Sequence, residues 1–519
     1  MLWADAICIN QNDFDERSEQ VKLMANIYST AYRTLIWLGE DFGNAAKAFS
    51  SIKWIRRQFP RQSPFNLVGA SVGTRLRKRF ERLQLSSAGA SVFPWSKFEP
   101  VLPLLQLSWF RRKWIIQEVV KGNQPLLLCG DVILDWNILQ DVMVYLKILA
   151  HKNLGELMVR NKTSLTALNH VNIIAMMKWE GYAVPSTLTT LLYMTRSFVC
   201  SDPRDHLIAL LGLACDTGPD VRSIQADYKV SVAELSKQYV LWDIFQNRAL
   251  SCFSSGFDHQ TLSPSWVPDF TSRLDQFAMA REYFCFNATR DSQPCATLSE
   301  DRVVLSLEGK VLDEIENLGA ISPVIDPDQL SEDINGISEA ENLSQILDET
   351  LQLRTIAWFQ ECKSIALKGS ASFNRQRLEG FCQSMLWDNL NEDNEKPSEA
   401  LLEKFEELIE WGATPLPERD EAWRTRYAGI WPSKLTINFD MFTTGRRFAE
   451  TRNARLGSMP KSTRVGDKIC VFYGGNLPYV IRPFGEGKYT LVGDCYVHGF
   501  MYGEAMDMED IETETIHLV

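Results

Sequence analysis

Within residues 2–39 a short apolar stretch, a polar turn, an amphipathic segment and a second apolar stretch follow one another. This order constrains the fold more than any other part of the chain. Residues 2–9 are apolar or small apart from one acid, Asp5, and read as a buried strand. Asn10, Gln11, Asn12 and Asp13 form the turn. Asp13 is placed to cap a helix, with Glu16 as its reciprocal partner. Val21, Met24, Ile27, Tyr28 and Ala31 then share one helical face. Residues 34–38 (TLIWL) end at Gly39 and read as a strand. Strand, helix, strand predicts a parallel α/β sheet with a right-handed connection.

Further along, residues 40–100 read as a helical, loop-rich insertion, and residues 108–120 as a single helix. Residues 126–129 form a short strand before a turn at Gly130 and Asp131. Residues 135–245 are mainly helical by pattern, with a helix start at Ser201, Asp202 and Pro203. Strand-like pieces recur at 265–270 and 303–307. Two acidic stretches, 326–349 and 387–411, read as exposed helices or mobile connectors. From Gly445 the pattern alternates, with strands at 468–473, 479–482 and 489–497, which predicts a small antiparallel sheet or partial barrel. The expected division is 1–134 for the α/β domain, 135–260 helical, 261–440 mixed and 441–519 β-rich.

The net charge of -12 argues against a nucleic-acid binder, whose affinity would need a basic surplus. The short basic run of Arg75, Arg77, Lys78 and Arg79 reads as a solvated face. Eleven cysteines are scattered singly with no CxxC pair, which fits a reducing compartment. Cys8, Cys129 and Cys470 sit in apolar stretches and read as small hydrophobes. No apolar run approaches a bilayer-spanning length, so the cytoplasm is the expected location. The six histidines lack HxxxH or HExxH spacing, so no metal is expected, and no phosphate-binding glycine loop or GxSxG elbow occurs.

Segment 2–40, LWADAICINQNDFDERSEQVKLMANIYSTAYRTLIWLGE, resembles the core of the fungal heterokaryon-incompatibility (HET) domain. The resemblance rests on Trp3, Asp5, Ala6, Cys8, Ile9, Asn10 and Gln11, then Glu16, Arg17, Gln20 and Val21, then Trp37, Leu38 and Gly39. WFRRKWIIQEV (109–119), SDPRDHLIALLGLA (201–214), PSWVPDF (264–270) and LVGDCYVHG (491–499) are similar to blocks of full-length members. Domains of this family begin with an earlier strand, so the expected domain here is one strand short, with an open sheet edge. The resemblance implies a likeness to Toll/interleukin-1 receptor (TIR) domains, hence a flavodoxin-like parallel sheet.

Some TIR domains cleave NAD through a glutamate in a W-x-x-x-E arrangement, which here falls on Trp114 and Glu118. The resemblance thus implies Glu118 as catalytic carboxylate, NAD as substrate, and no cofactor. On one continuous helix the Trp114 indole would wall a pocket into which Glu118 points. A fixed carboxylate would stabilise the oxocarbenium-like ribose, and nicotinamide leaves without a general acid. Arg111, Arg112 and Lys113 would occupy the first turn of that helix, against its dipole, with a pyrophosphate or nearby acids as offset. Asn10 would lie at the carboxyl end of the first strand, either organising the turn or touching ligand. Asp5 is a ligand contact or a buried acid held by the turn or by Arg17. Arg204 and Asp205 are expected to cap and brace a helix.

Three functions follow as expectations: a death-inducing enzyme acting on NAD through Glu118, a non-catalytic signalling module that self-associates or meets other incompatibility proteins, and an inactive shortened paralogue.

Overall fold

The protein is described here by a computed structural model. It describes the chain apart from residues 1, 42, 59–96, 150–161, 179–186, 218–223, 255–262, 273–285, 324–355, 371–373, 389–396, 416–438, 440 and 441. Most of the expected insertion, the basic run at 75–79 and the first acidic stretch fall outside the described residues. The chain divides into two compact units, Met1–Leu235 and Ser236–Val519.

The first unit opens with a correction. Residues 2–9 contain no strand; Asp5–Cys8 is a short helix (α1), with Leu2 77% and Ile7 83% exposed. Asp5 closes that turn by accepting from the Ala6 N–H, and its carbonyl accepts from Gln11 Nε2. Cys8 is accordingly exposed rather than buried. Next comes α2 (Phe14–Thr30), capped by Asp13, whose side chain accepts from the Asp15 and Glu16 N–H groups. Glu16 reaches back one turn further than expected, to the Asn10 N–H.

The sheet has three strands: β1 (Leu35–Trp37), β2 (Leu126–Cys129) and β3 (Val132–Asp135). β1 and β2 are parallel, whereas β2 and β3 form an antiparallel hairpin. Gly130 turns that hairpin at φ +52°, a conformation that suits a residue without Cβ. Only one strand pair is parallel, so the flavodoxin-like sheet is not what the described residues form. Ile36, Leu127 and Leu134 share a register line and are buried. Leu35, Trp37 and Ile133, on the opposite face, are each about half exposed or more.

Around the sheet lie α3 (Ala45–Gln58), α4 (Leu102–Leu105), α5 (Ile115–Val120), α6 (Trp136–Leu149), α7 (Lys162–Lys178), α8 (Leu188–Met194) and α9 (Asp205–Leu211). α7 is the hub, packing against α4, α5 and α6. A further helix, α10 (Val232–Phe245), follows.

In the second unit the strands are β4 (Ala296–Leu298), β5 (Leu305–Ile321), β6 (Arg447–Thr451), β7 (Leu456–Met459), β8 (Lys468–Phe472), β9 (Tyr479–Pro483), β10 (Lys488–Asp494), β11 (Tyr496–Val497) and β12 (Glu514–Leu518). β5, β12, β10, β9 and β8 pair in sequence, and β8 returns to β5, so five strands close a barrel. The β10–β12 pair is parallel and the other four are antiparallel. β5 pairs at its start with the neighbouring β4, and it also lies far upstream of three further partners: its start pairs with β12, its middle with β8 and its end with β6. A Cβ at Gly309 would sit 2.1 Å from the Val471 carbonyl oxygen, so this close passage of β5 across β8 needs glycine.

One expectation fails in this unit, since residues 265–270 form turns rather than a strand. Of the two readings of the second acidic stretch the helical one holds: its described residues contain α12 (Glu399–Ala413), which buries Leu402, Phe405, Leu408 and Ile409 and so is packed on one face rather than exposed all round. It packs with α11 (Arg375–Leu386).

Candidate functional site

The expected helix at 108–120 is broken in two, and the break decides which side chains meet. Residues Ser108–Arg111 form a single 3-10 turn. The Phe110 carbonyl accepts from His170 Nδ1 at 2.9 Å, and the Arg111 carbonyl accepts from the Val199 N–H at 2.7 Å. Both oxygens are therefore spent outside the helix. Arg112 is extended (φ −71°, ψ 139°) and forms a parallel bridge with Val199. Because a carbonyl can only accept, His170 carries its proton on Nδ1, which leaves Nε2 to accept from the Ser197 hydroxyl at 2.9 Å.

α5 begins only at Ile115, with Trp114 as its N-cap. Arg111 and Arg112 thus precede the first helical turn, and the expected conflict with the helix dipole does not arise. Lys113 is buried and donates to the Thr195 carbonyl at 2.9 Å, at the C-terminal end of α8, where a cation is favoured. Burial pushes its ammonium down to about 7.

Trp114 and Glu118 do not face each other. The Trp114 indole donates to Asp205 Oδ2 at 3.0 Å. Glu118 Oε2 instead accepts from the indole of Trp109 at 3.1 Å. Trp109 is buried, and its ring meets Phe110 and Trp136 edge-on at 5.1 and 5.9 Å. Glu118 is half-buried. Burial raises its pKa, Arg112 and the Trp109 hydrogen bond lower it, and Asp5 raises it. Tyr28, on α2, feels the same acids: burial and then Glu118 and Asp5 push its hydroxyl up, against Arg112. Trp3 meets the Tyr28 ring edge-on at 5.9 Å. The fold therefore gathers Asp5, Arg112 and Glu118, three of the expected site residues, and adds Tyr28 and Trp109.

The other expected residues stand apart in their contacts. Arg111 is exposed and tied through its backbone to Val199. Asn10 is exposed in the turn, where its side chain accepts from the Asn12 N–H at 3.2 Å.

Asp205, at the start of α9, organises a second cluster. Besides Trp114 it accepts from the Tyr228 hydroxyl at 2.5 Å and from Arg17 at 3.4 Å. Arg17 also pairs with Asp202 at 3.2 Å and lies over the Tyr228 ring at 3.7 Å. Arg204 holds Asp202 at 2.8 Å and donates to the Tyr228 and Val230 carbonyls. Of the two roles expected of Arg204 and Asp205, these contacts describe the brace, while the N-cap position of α9, Arg204, makes no side-chain capping bond; Arg17 serves this cluster rather than Asp5. An open depression of about 410 Å³ lies against it, lined by Ser201, Asp202, Pro203, Arg204 and residues 230–232.

Three further hydrogen bonds, from two side chains, fix α5 and the residues just after it. Lys178 donates to the Val119 and Gly122 carbonyls at 2.6 and 3.0 Å, and Gln117 Nε2 donates to the Ala209 carbonyl at 2.9 Å. Tyr28 and Trp109 escaped the sequence reading because nothing local marks them as neighbours of Glu118. Among the described residues, no three His, Cys, Asp or Glu side chains are grouped to hold a metal. No helix among them is long and apolar enough to cross a membrane. No disulfide joins any two of the ten described cysteines.

Comparison with known proteins agrees with this layout. Residues 1–118 match the family model for heterokaryon incompatibility protein (HET), a match that ends at Glu118. Residues 429–519 match the Het-6 β-barrel domain, which covers every barrel strand but β5. The chain is 24% identical to heterokaryon incompatibility protein 6, OR allele, of Neurospora crassa, across 100% of this chain and 83% of that protein. No solved structure matches the chain. With the HET domain at its start, the barrel domain at its end and a relative aligned along its whole length, this chain belongs to the heterokaryon incompatibility (HET) family of fungal proteins.

Proposed function

We propose that this chain induces or signals programmed cell death after non-self recognition, acting in the cytoplasm by TIR-like hydrolysis of NAD through Glu118. The carrying observation is the setting of Glu118: a half-buried carboxylate held by the Trp109 indole, with Asp5 and Arg112 close enough to perturb it. A desolvated carboxylate gains most from a positive charge formed beside it. Cleavage of the nicotinamide–ribose bond forms such a charge. Nicotinamide departs with the bond's electron pair as a neutral molecule, the ribose becomes an oxocarbenium ion, and water adds to it and releases a proton. Arg112 is assigned to the pyrophosphate and Asp5 to the polar rim, while Trp114, whose indole is committed to Asp205, and Arg111 and Asn10, which make their contacts elsewhere, are left out of the site.

The test is nicotinamide release by the purified chain. Glu118→Gln, with an unchanged circular dichroism spectrum, should lower release by about 10²–10³-fold. No release by the wild-type chain at high concentration would overturn the enzymatic reading.

One observation favours a second reading, that of a self-associating signalling module. Leu35, Trp37 and Ile133 present apolar surface on one face of the small sheet. Sedimentation over a range of concentrations tests it. Oligomers that weaken in Trp37→Glu, with toxicity that survives Glu118→Gln, would favour this reading over catalysis.

A further inference from the structure

The geometry points to Trp109, not Trp114, as the positioning residue of Glu118: its indole N–H fixes one carboxylate oxygen and so sets the rotamer and the charge state in which Glu118 works. This deepens the proposed reading of Glu118 and rests on it for its catalytic part only.

Three observations carry the assignment. The contact itself, Trp109 Nε1 to Glu118 Oε2, spans 3.1 Å. Trp109 has little freedom to release it. Its ring is buried edge-on to Phe110 and Trp136, and the Trp136 indole is in turn held by Gln140 at 2.9 Å. An aromatic ring locked by packing offers its donor at almost no further cost in entropy. The alternative donor is committed elsewhere, since Trp114 gives its N–H to Asp205, which Tyr228 and Arg17 also hold. The extended backbone at Arg112 makes this exchange of partners possible, because it turns the segment carrying Trp109 relative to α5.

An indole N–H is a neutral donor that a carboxylate cannot deprotonate. It stabilises the ionised form of Glu118 while adding no charge to repel a nascent cation. A lysine or arginine in the same place would stabilise the carboxylate too, but would oppose the positive transition state. Phenylalanine at 109 keeps the ring packing and removes only the donor.

The experiment uses the full chain labelled with ¹⁵N at the tryptophan indoles. As pH is raised through the ionisation of Glu118, the Trp109 Nε1–H resonance should shift in one step, and Glu118→Gln should abolish that step. The Trp114 resonance should keep its own behaviour in Glu118→Gln. The Trp109 signal is assigned by its loss in Trp109→Phe; should that variant fail to fold, Trp114→Phe identifies the Trp114 signal, and the proposal is overturned if that is the resonance whose titration Glu118→Gln removes. A spectrum in which no indole loses a titration step in Glu118→Gln overturns the proposal. This readout needs no turnover, so it stands even if the chain releases no nicotinamide.

Where release is measured, Trp109→Phe should move the acid limb of the rate profile up by about one pH unit. Trp114→Phe should leave that limb in place, whatever it does to the plateau. A limb that moves only in Trp114→Phe reverses the assignment, even with the enzymatic reading intact.

Discussion

The α-carbon of Gly122 lies so close to the carbonyl oxygen of Glu118 that a Cβ there would sit 2.1 Å from it and 2.5 Å from Thr34 Oγ1. Neither neighbour can yield cheaply, since one is helix backbone and the other is a buried side chain. Gly122→Ala should therefore push the end of α5 away from β1 and cost about 1–3 kcal/mol. A lowered midpoint in urea unfolding checks this, and an unchanged midpoint would contradict the close approach.

Lys178 holds the same helix end through the Val119 and Gly122 carbonyls. Lys178→Met keeps most of the stem's packing but leaves both oxygens without this donor, at a cost of about 1–3 kcal/mol. If Glu118 is the working group, nicotinamide release should fall along with stability. Thermal unfolding and the release assay on one preparation give both numbers.

His170 is buried between Phe110 and Ser197 and stacks on Phe198 at 3.7 Å. Burial holds its pKa down to about 4, against 6.5 for an exposed imidazole. Between those values the unfolded chain binds a proton that the folded one refuses, so stability should fall as pH drops from 6.5 to 4. The loss from this group is on the order of 3 kcal/mol once pH is below both values. Unfolding midpoints of wild type and His170→Gln across this range should converge towards the acid end.

Asp205 accepts from Trp114, Tyr228 and Arg17 at once. Asp205→Asn keeps the shape but removes the charge that Arg17 pairs with and turns an amide donor towards other donors. Breaking such a buried pair on one side costs about 3–5 kcal/mol. Chemical denaturation should show a loss near that size, and one below about 0.5 kcal/mol would mean the cluster is not a brace.

In the second unit, Arg446 and Asp494 form an ion pair with only 1% and 4% of their side chains exposed. Arg446 also donates to the Asp494 carbonyl at 2.7 Å and to Ser458. Arg446→Met should remove the buried cation that the carboxylate pairs with and cost about 3–5 kcal/mol. Loss of protease resistance across residues 442–519 is the measurement that checks it.

What could be read before folding was local. Asp13 as the cap of α2 was legible because a cap is written within four residues. The strand and turn ending at Gly130 and the alternation of β8, β9 and β10 were legible for the same reason, whereas β3, the second arm of the hairpin, was not read. Residues 2–9 were misread because a short apolar run does not distinguish strand from helix, and here no neighbouring strand pairs with it. β12 and the long reach of β5 were missed because a barrel is closed by partners more than a hundred residues apart.

The chain's motifs by themselves determined its kinship and the capped start of α2, and they singled out the carboxylate at 118, since each depends on residues close together in sequence. Only the tertiary structure decided which indole meets that carboxylate. The segment before α5 unwinds because Phe110 and Arg111 give their carbonyls to His170 and Val199, residues that no local pattern could have brought to them.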